Sequence, residues 1–238
     1  DERQQTIRVG SFEDTFDYVD EYGVRRGFGY ELMQALAGYT GWKFEYVKCD
    51  WSNCFDKLEN GEIDIMGDIS YTDERAQKML FSDEPMGEEK YILYADLSNM
   101  DIGTSDFKFM DGKRVGVLMD TEPEIMLTEW ENKNGIHTEH VNVNNNDDVE
   151  KKLANHEIDC FVSLEESIWS EQGISSVTTI GKSGIYFAIN KERSDIKTEL
   201  DYAMRQLDQE SPFFKADLYK KYFTLDYSQS LTGKEKSW

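Results

Sequence analysis

The residues best equipped for chemistry lie between Gly61 and Met86, in the run GEIDIMGDISYTDERAQKMLFSDEPM. An acidic turn leads into a short apolar strand, Ile63 to Met66. A small polar loop follows, Gly67 to Tyr71, and Thr72 caps a helix with Arg75 in its first turn. Backbone N–H groups at a helix start and a planar guanidinium together make an anion clamp. The chemistry expected is the holding of a small molecule by its carboxylate, with Arg75 giving affinity and orientation. The plainer alternative is a surface Arg75 paired with Asp73 or a neighbouring carboxylate. Phe12, Phe16, Tyr18 and Trp51 offer aromatic faces for the rest of such a ligand, although the same residue types also fill cores. Trp51, just after a strand, is the best placed of them.

Other chemistries find little support. His137 and His140 sit three apart in an apparent strand, which sends them to opposite faces and argues against a metal pair. No G-x-S-x-G, H-E-x-x-H or Walker pattern occurs. No catalytic residue, metal or cofactor is therefore expected. Cys49 and Cys54 are five apart; a disulfide is geometrically feasible, and the alternative is two small buried hydrophobes. Without a C-x-x-C pair, zinc and thioredoxin-like readings fail.

The formal charge of −22 makes nucleic acid and anionic membrane surfaces poor partners, since both need a basic face. It fits a solvated exterior. A calcium loop lacks its D-x-D-x-D-G run. No stretch reaches the roughly 18 apolar residues of a membrane span, so no insertion of this segment is expected. Asp1 opens no signal-peptide pattern, so the chain reads as cytosolic or as trimmed of a targeting segment.

The elements that must position these residues follow from periodicity. Thr6 to Gly10 reads as a strand, Gly27 to Tyr39 as an amphipathic helix ended by Gly41, and Trp42 to Val47 as a strand. Ser52 to Asn60 reads as a short helix before the strand at Ile63. This β-α-β-α-β order is that of a doubly wound parallel sheet. The pattern then recurs: KRVGVL at Lys113 echoes IRVGSF at Ile7, and KKLANHEIDCFVS at Lys151 echoes DKLENGEIDIMGD at Asp56. Two α/β units imply two lobes. Lys90 to Ala95 and Gly184 to Asn190 are the candidate links, which favours a hinge with a ligand cleft. Helices at Asp195 to Leu207 and Pro212 to Tyr222 lack strand partners in the second unit and are expected to return to the first. The expected division is 1–92 with 187–238 as lobe 1, and 93–186 as lobe 2.

Taken in order, IRVG, GYELMQALAGYTGWKFEYV, GEIDIMGDISYTDER, FSDEPM, GKRVGVL, HEIDCFV and LYKKYF resemble the periplasmic type 2 solute-binding proteins of the polar amino acid class. The resemblance runs from Ile7 to about Phe223. It implies an α/β two-lobed Venus-flytrap fold, each lobe a mostly parallel sheet flanked by helices, with two hinge crossovers. It also implies an extracytoplasmic location, periplasmic or at the cell surface. Met86-Gly87-Glu88-Glu89 and the tail Leu231 to Trp238 look like flytrap sensor domains of bacterial membrane receptors. That implies a membrane-linked signalling partner first and a transporter permease second.

On the family pattern, Thr72 to Arg75 matches the T-x-x-R whose arginine meets a ligand α-carboxylate. Ser70 matches a position whose N–H and hydroxyl touch the same group. Thr121 would reach it from the second lobe, or serve as a plain helix cap, and the two roles can coexist. The usual ammonium-binding Asp of the second lobe is replaced by Leu164; Glu165 or Asp68 is the candidate substitute. The family also contains soluble dehydratases that use a carboxylate acid, which leaves Glu165 or Asp68 a remote catalytic alternative.

Overall fold

The computed structural model describes residues 4–12, 16–100, 106–165 and 168–223, with Trp51, Ser52 and Asn99 described by their backbone only. Along the chain come β1 (Thr6–Ser11), β2 (Tyr18–Val19), β3 (Arg25–Arg26), α1 (Phe28–Thr40), β4 (Lys43–Lys48) and α2 (Trp51–Glu59). Next are β5 (Ile65–Ser70), α3 (Asp73–Lys78), β6 (Met79–Phe81) and β7 (Gly87–Ala95). Then follow β8 (Arg114–Val117), α4 (Glu122–Asn134), β9 (Glu139–Asn142), α5 (Asn146–Ala154) and β10 (Cys160–Leu164). The chain closes with α6 (Ile168–Glu171), β11 (Ser175–Asn190), α7 (Ser194–Glu210) and α8 (Phe214–Phe223).

The chain divides into two units, residues 1–88 with 184–238 and residues 89–183. It passes between them inside β7 and inside β11. In unit 1, β1 lies parallel to β4 and β5, and the end of β11 runs antiparallel to β5 and β6. In unit 2, β8 lies parallel to β9 and β10, and β7 runs antiparallel to β10. The sheets are thus mixed. Their parallel strands come from the β-α-β crossovers, and their antiparallel members are the strands by which the chain changes unit.

Helices cover both faces of the unit 1 strands. Ile7, Val9, Leu32, Leu36, Leu200 and Met204 form one core, between β1 and the helices α1 and α7. Cys54, Leu58, Ile63, Met66 and Ile69 form another against α2. In unit 2, Leu93, Val115, Leu127 and Trp130 pack on one side, and Tyr94, Val149, Phe161 and Trp169 on the other. Helices α7 and α8 dock on α1 and its flanks: Lys221 and the Tyr222 hydroxyl hold Glu31, and Trp42 Nε1 donates to Glu199 at 2.8 Å.

Gly27 shows why α1 starts where it does. Its φ is 125°, and a Cβ there would lie 2.4 Å from the Phe16 carbonyl oxygen. That carbonyl accepts from the amides of Gly29 (2.7 Å) and Tyr30 (3.2 Å), so backbone rather than side chain caps the helix. The same bonds fix Phe16 beside α1. Cys49, just past β4, and Cys54 of α2 form a disulfide, with Cα atoms 5.3 Å apart.

One expectation is corrected. The strand placed at Ile63 to Met66 instead runs from Ile65 to Ser70, through residues assigned to a polar loop. The cause is β11, arriving from more than a hundred residues away. It pairs Ile185 with Ser70 and Tyr186 with Ile69, then Ala188 with Met66. Gly67 and Asp68 therefore face Phe187 alone, which makes a β-bulge. Asp68 takes the left-handed conformation there, with φ of 63°.

Candidate functional site

The site residues of unit 1 are set by β5 and the turn after it. The Thr72 hydroxyl accepts from the Arg75 amide at 3.1 Å and caps α3. Arg75 Nη1 donates to the Ser70 carbonyl at 2.9 Å, and its Cζ lies 5.0 Å from the centre of the Phe55 ring. A guanidinium has five N–H donors. Here the bond to the Ser70 carbonyl fixes its plane at the end of β5, and Phe55 supports its face. The short helix thus acts as a bracket for one cation.

Unit 1 also holds a partly open cavity lined by Phe12, Phe16, Asp17, Tyr30, Tyr46 and Asp68, with Met86 and Phe187 among its apolar surfaces. About 30 Å³ is open to the centre of a water molecule, and a site of about 10–15 Å³ already holds one water. Asp68 reaches the cavity because of the bulge. Its Oδ1 is shut off from solvent, and its amide donates to Met86 Sδ at 3.2 Å. A non-glycine residue held at positive φ costs about 1–3 kcal/mol, and such strain gathers at functional sites.

Arg25 braces the far wall from outside the cavity. Its Nη1 donates to Asp17 Oδ1 at 2.6 Å and to Ser11 Oγ at 3.0 Å, and its Cζ lies 4.1 Å from the Tyr46 ring centre. Burial pushes the Tyr46 phenol far above its ordinary pKa, so it stays neutral. Gln34 Nε2 lies 3.5 Å from its hydroxyl, and Tyr30 packs at 5.8 Å between ring centres.

Of the residues expected from sequence, Phe12, Phe16 and Asp68 share this cavity, and Ser70 and Arg75 lie just beyond it in the same unit. Phe16 is also core, edge-on to Phe28 at 5.7 Å. Trp51 opens α2, but its side chain lies outside the described residues, as does the tail Leu231 to Trp238. Thr121 and Glu165 belong to unit 2. Thr121 stands at the N-cap of α4, but its hydroxyl donates back to the Leu118 carbonyl instead of capping the helix. The preceding residue, Asp120, is left-handed (φ 60°), and its amide donates to Glu124 Oε1 at 3.0 Å. Glu165 follows β10 directly and is half-buried, and its amide donates to the Lys90 carbonyl at 3.0 Å.

Sequence reasoning passed over Asp17, Tyr30 and Tyr46 in the cavity wall. Tyr30 was absorbed into the apolar face of its helix. The signal that would have found Tyr46 is its place in β4 opposite Val9, a pairing visible only once the strands are aligned.

Sequence reasoning also missed a charged clasp in unit 2. His140 Nδ1 lies 2.9 Å from Glu124 Oε2, and its Nε2 lies 3.0 Å from Glu131 Oε2. Glu131 is buried and also accepts from the Thr138 amide at 3.1 Å. His137 and His140 do not share a strand as expected, because β9 begins at Glu139.

Residues 7–225 match the family model described as bacterial extracellular solute-binding proteins, family 3. The chain is 34% identical over 104 residues to a probable histidine-binding protein of Neisseria gonorrhoeae, a match covering 43% of this chain and 38% of that protein. The chain thus spans well under half of that relative. It is 24% identical over 241 residues to the histidine-binding periplasmic protein of Escherichia coli K12, covering 93% of this chain and 89% of the other. Among solved structures, the probable amino-acid ABC transporter extracellular-binding protein ytmK of Bacillus subtilis aligns with a TM-score of 0.75. That match has 21% identity and covers 94% of this chain and 100% of the other. The structural likeness shows the fold, periplasmic binding protein type II. With the family match spanning nearly all of the described residues, the chain belongs to the bacterial extracellular solute-binding proteins, family 3.

Proposed function

We propose that this domain binds an amino acid or a closely related small carboxylate outside the cytoplasm, with Arg75 holding the acid end. The observation that carries the reading is the fixed guanidinium at the end of β5, one donor on the Ser70 carbonyl and its face on Phe55. A planar donor fork held in place matches the two oxygens of a carboxylate and loses little entropy on binding. Histidine is what the relatives named above are said to bind, which supports an amino acid as the class. Thr121 and Glu165 stay in the reading on the family pattern alone.

Two settings are compatible with such a domain. The resemblance of Met86 to Glu89 and of the tail to receptor flytraps supports the sensory input of a membrane signalling protein. The ABC transporter named for the structural neighbour supports delivery to a permease. The sequence of the complete gene separates them, through downstream membrane and signalling segments or a stop.

Thermal-shift measurements against the common amino acids test the binding. A ligand at about 100 times its Kd adds about 2.7 kcal/mol to stability. At least one amino acid is expected to give such a shift, and Arg75→Ala to abolish it while leaving the unliganded melting point close to the parent. No shift with any amino acid, or full affinity in Arg75→Ala, would overturn the reading.

A further inference from the structure

We propose that the Cys49–Cys54 disulfide is a positioning element for the carboxylate site: it fixes Phe55, and through Phe55 the plane of the Arg75 guanidinium. The inference rests on the carboxylate-binding reading and adds a thiol-sensitive control of its affinity. The two units seat matching helices in different ways. Helices α2 and α5 each have nine residues. At their caps the Asn53 amide donates to Asp50 Oδ1 and the Asp148 amide to Asn145 Oδ1, both at 2.8 Å. Four residues past the cap, α5 carries Val149, buried in the cluster that holds Phe161 and Trp169. At the same place α2 carries Cys54, bonded to Cys49. A valine thus suffices to seat such a helix, and the covalent bond answers a different need. The unit with the bond is the one whose helix supports a guanidinium.

Phe55 follows Cys54 directly, and its ring centre lies 5.0 Å from Arg75 Cζ. That is within cation–π range, so the ring face sets the tilt of the guanidinium plane. The disulfide ties the first turns of α2 to the residue just past β4, which leaves this ring little freedom to shift. A second brace runs to β1. The Cys49 amide donates to the Ser11 carbonyl at 2.9 Å, and a Cβ on Gly10 would lie 3.4 Å from Cys54 Sγ and 3.5 Å from Cys49 Sγ. The bonded residues are only five apart, so the bond restrains the unfolded chain far less than a long-range disulfide. Its effect is therefore local. A small dithiol opens it at Cys49, which is 9% exposed against 0% for Cys54. One thiolate attacks Cys49 Sγ, Cys54 leaves and takes a proton, and the second thiol then closes the reagent's own disulfide. Two electrons and two protons pass to the protein, which ends with two thiols.

Calorimetry tests this with the common amino acid that gives the largest thermal shift. The double variant Cys49→Ala with Cys54→Ala, and dithiothreitol reduction of the parent, should each weaken binding by about fivefold to tenfold. Reoxidation should restore the parent value. Phe55→Leu keeps an apolar side chain but removes the ring face, and should cost about as much; Phe55→Tyr should stay within about twofold of the parent. Phe55→Leu added to the cysteine double variant should cost nothing further, because both cut the same path to Arg75. The proposal is overturned if loss of the disulfide leaves affinity unchanged, or if the separate losses multiply. Should the cysteine variant fail to fold, the Phe55 pair still decides, and equal affinity in Phe55→Leu and the parent overturns the proposal. Binding that Arg75→Ala abolishes, but that neither the disulfide nor Phe55 affects, would sink this inference and leave the Arg75 reading standing. Absence of binding by any amino acid would sink both.

Discussion

In unit 1, Asp64 accepts from the Arg8 amide at 2.8 Å and from its Nη2 at 2.9 Å; in unit 2, Asp159 accepts from the Arg114 amide at 2.8 Å and from its Nη2 at 3.0 Å. The returning bonds match as well, Asp64 amide to Arg8 carbonyl and Asp159 amide to Arg114 carbonyl. Each clamp ties the start of the first strand to the start of the third. Behind it, a glycine in the first strand makes room for the isoleucine of the Glu-Ile-Asp run: a Cβ on Gly10 would lie 2.6 Å from Ile63, and one on Gly116 would lie 2.9 Å from Ile158.

On this shared frame the two units diverge at corresponding positions. Tyr46 pairs with Val9 in unit 1, and His140 pairs with Val115 in unit 2. The first becomes a cavity wall under Arg25, and the second becomes a clasp between two glutamates of α4. Four residues past each clamp aspartate, β5 bulges at Asp68, while Ser163 pairs with Ile92 in unbroken register. The comparison teaches that the frame residues are separable from the residues that line a site. The clamp holds the strands in both units, and in unit 1 the spare positions help to build a cavity with a strained acid.

The clamps give the largest expected effect. Asp64 is 3% exposed and also meets Arg193 Nη1 at 3.2 Å, whereas Asp159 is 31% exposed. Asp64→Ala leaves an inward amide and two guanidinium groups without their acceptor, and is expected to cost about 3 kcal/mol in urea unfolding. Asp159→Ala is expected to cost about 1 kcal/mol, because water can replace its carboxylate. Equal costs would break the inference that burial, not hydrogen-bond count, separates the two clamps.

The clasp comes next. Burial alone would lower the His140 pKa, but the hydrogen bonds to Glu124 and Glu131 outweigh it and raise it. Both ring nitrogens can donate only when the ring is charged. The folded value lies above the unfolded one of about 6.5, so this stabilisation is complete below about pH 6.5 and fades as pH rises through the folded value. Glu124 acts in the opposite direction. The Asp120 amide and then His140 depress its pKa, so its contribution is present above about pH 4.3 and is lost as pH falls through the depressed value. The parent should therefore lose about 1 kcal/mol more than His140→Gln between pH 6 and pH 9, read as the difference between their denaturation curves. Parallel curves would show that the clasp contributes nothing to folding.

The smallest effect sharpens the frame itself. Gly61 and His156 occupy the same turn of the two units, with φ of 76° and 55°. In each the following glutamate amide bonds back to a lysine carbonyl, at 2.9 Å in both. Only His156 bears the cost of a Cβ in that conformation. His156→Gly is expected to raise stability by about 0.5–1 kcal/mol, seen as a higher melting temperature. A loss of stability would mean that the His156 side chain does work for which the glycine of unit 1 has no counterpart.

Much of the frame was legible in the chain. The echo of Glu-Ile-Asp, the glycine that ends α1 at Gly41, and the cap at Thr72 with Arg75 in the first turn are local events. They involve residues within a few positions of one another, where periodicity and capping rules apply directly. Asp68 was legible as a candidate by its place near a strand end, but its conformation was not. The strand seemed to stop at Met66 because polar Gly67 to Tyr71 read as loop.

What the sequence by itself determined, then, is a pair of α/β units and a helix capped by Thr72 with Arg75 in its first turn, because these follow from short-range backbone preference and burial pattern. The tertiary structure alone decided that β5 continues to Ser70, that it bulges to carry Asp68 inward, and that Tyr46 and His140 have opposite fates. Each depends on a partner distant in sequence, as Phe187 does for Asp68 and Arg25 for Tyr46. The physical reason is that register and side-chain pairing are set by whichever strand or helix packs alongside, and a single chain's periodicity does not encode that neighbour.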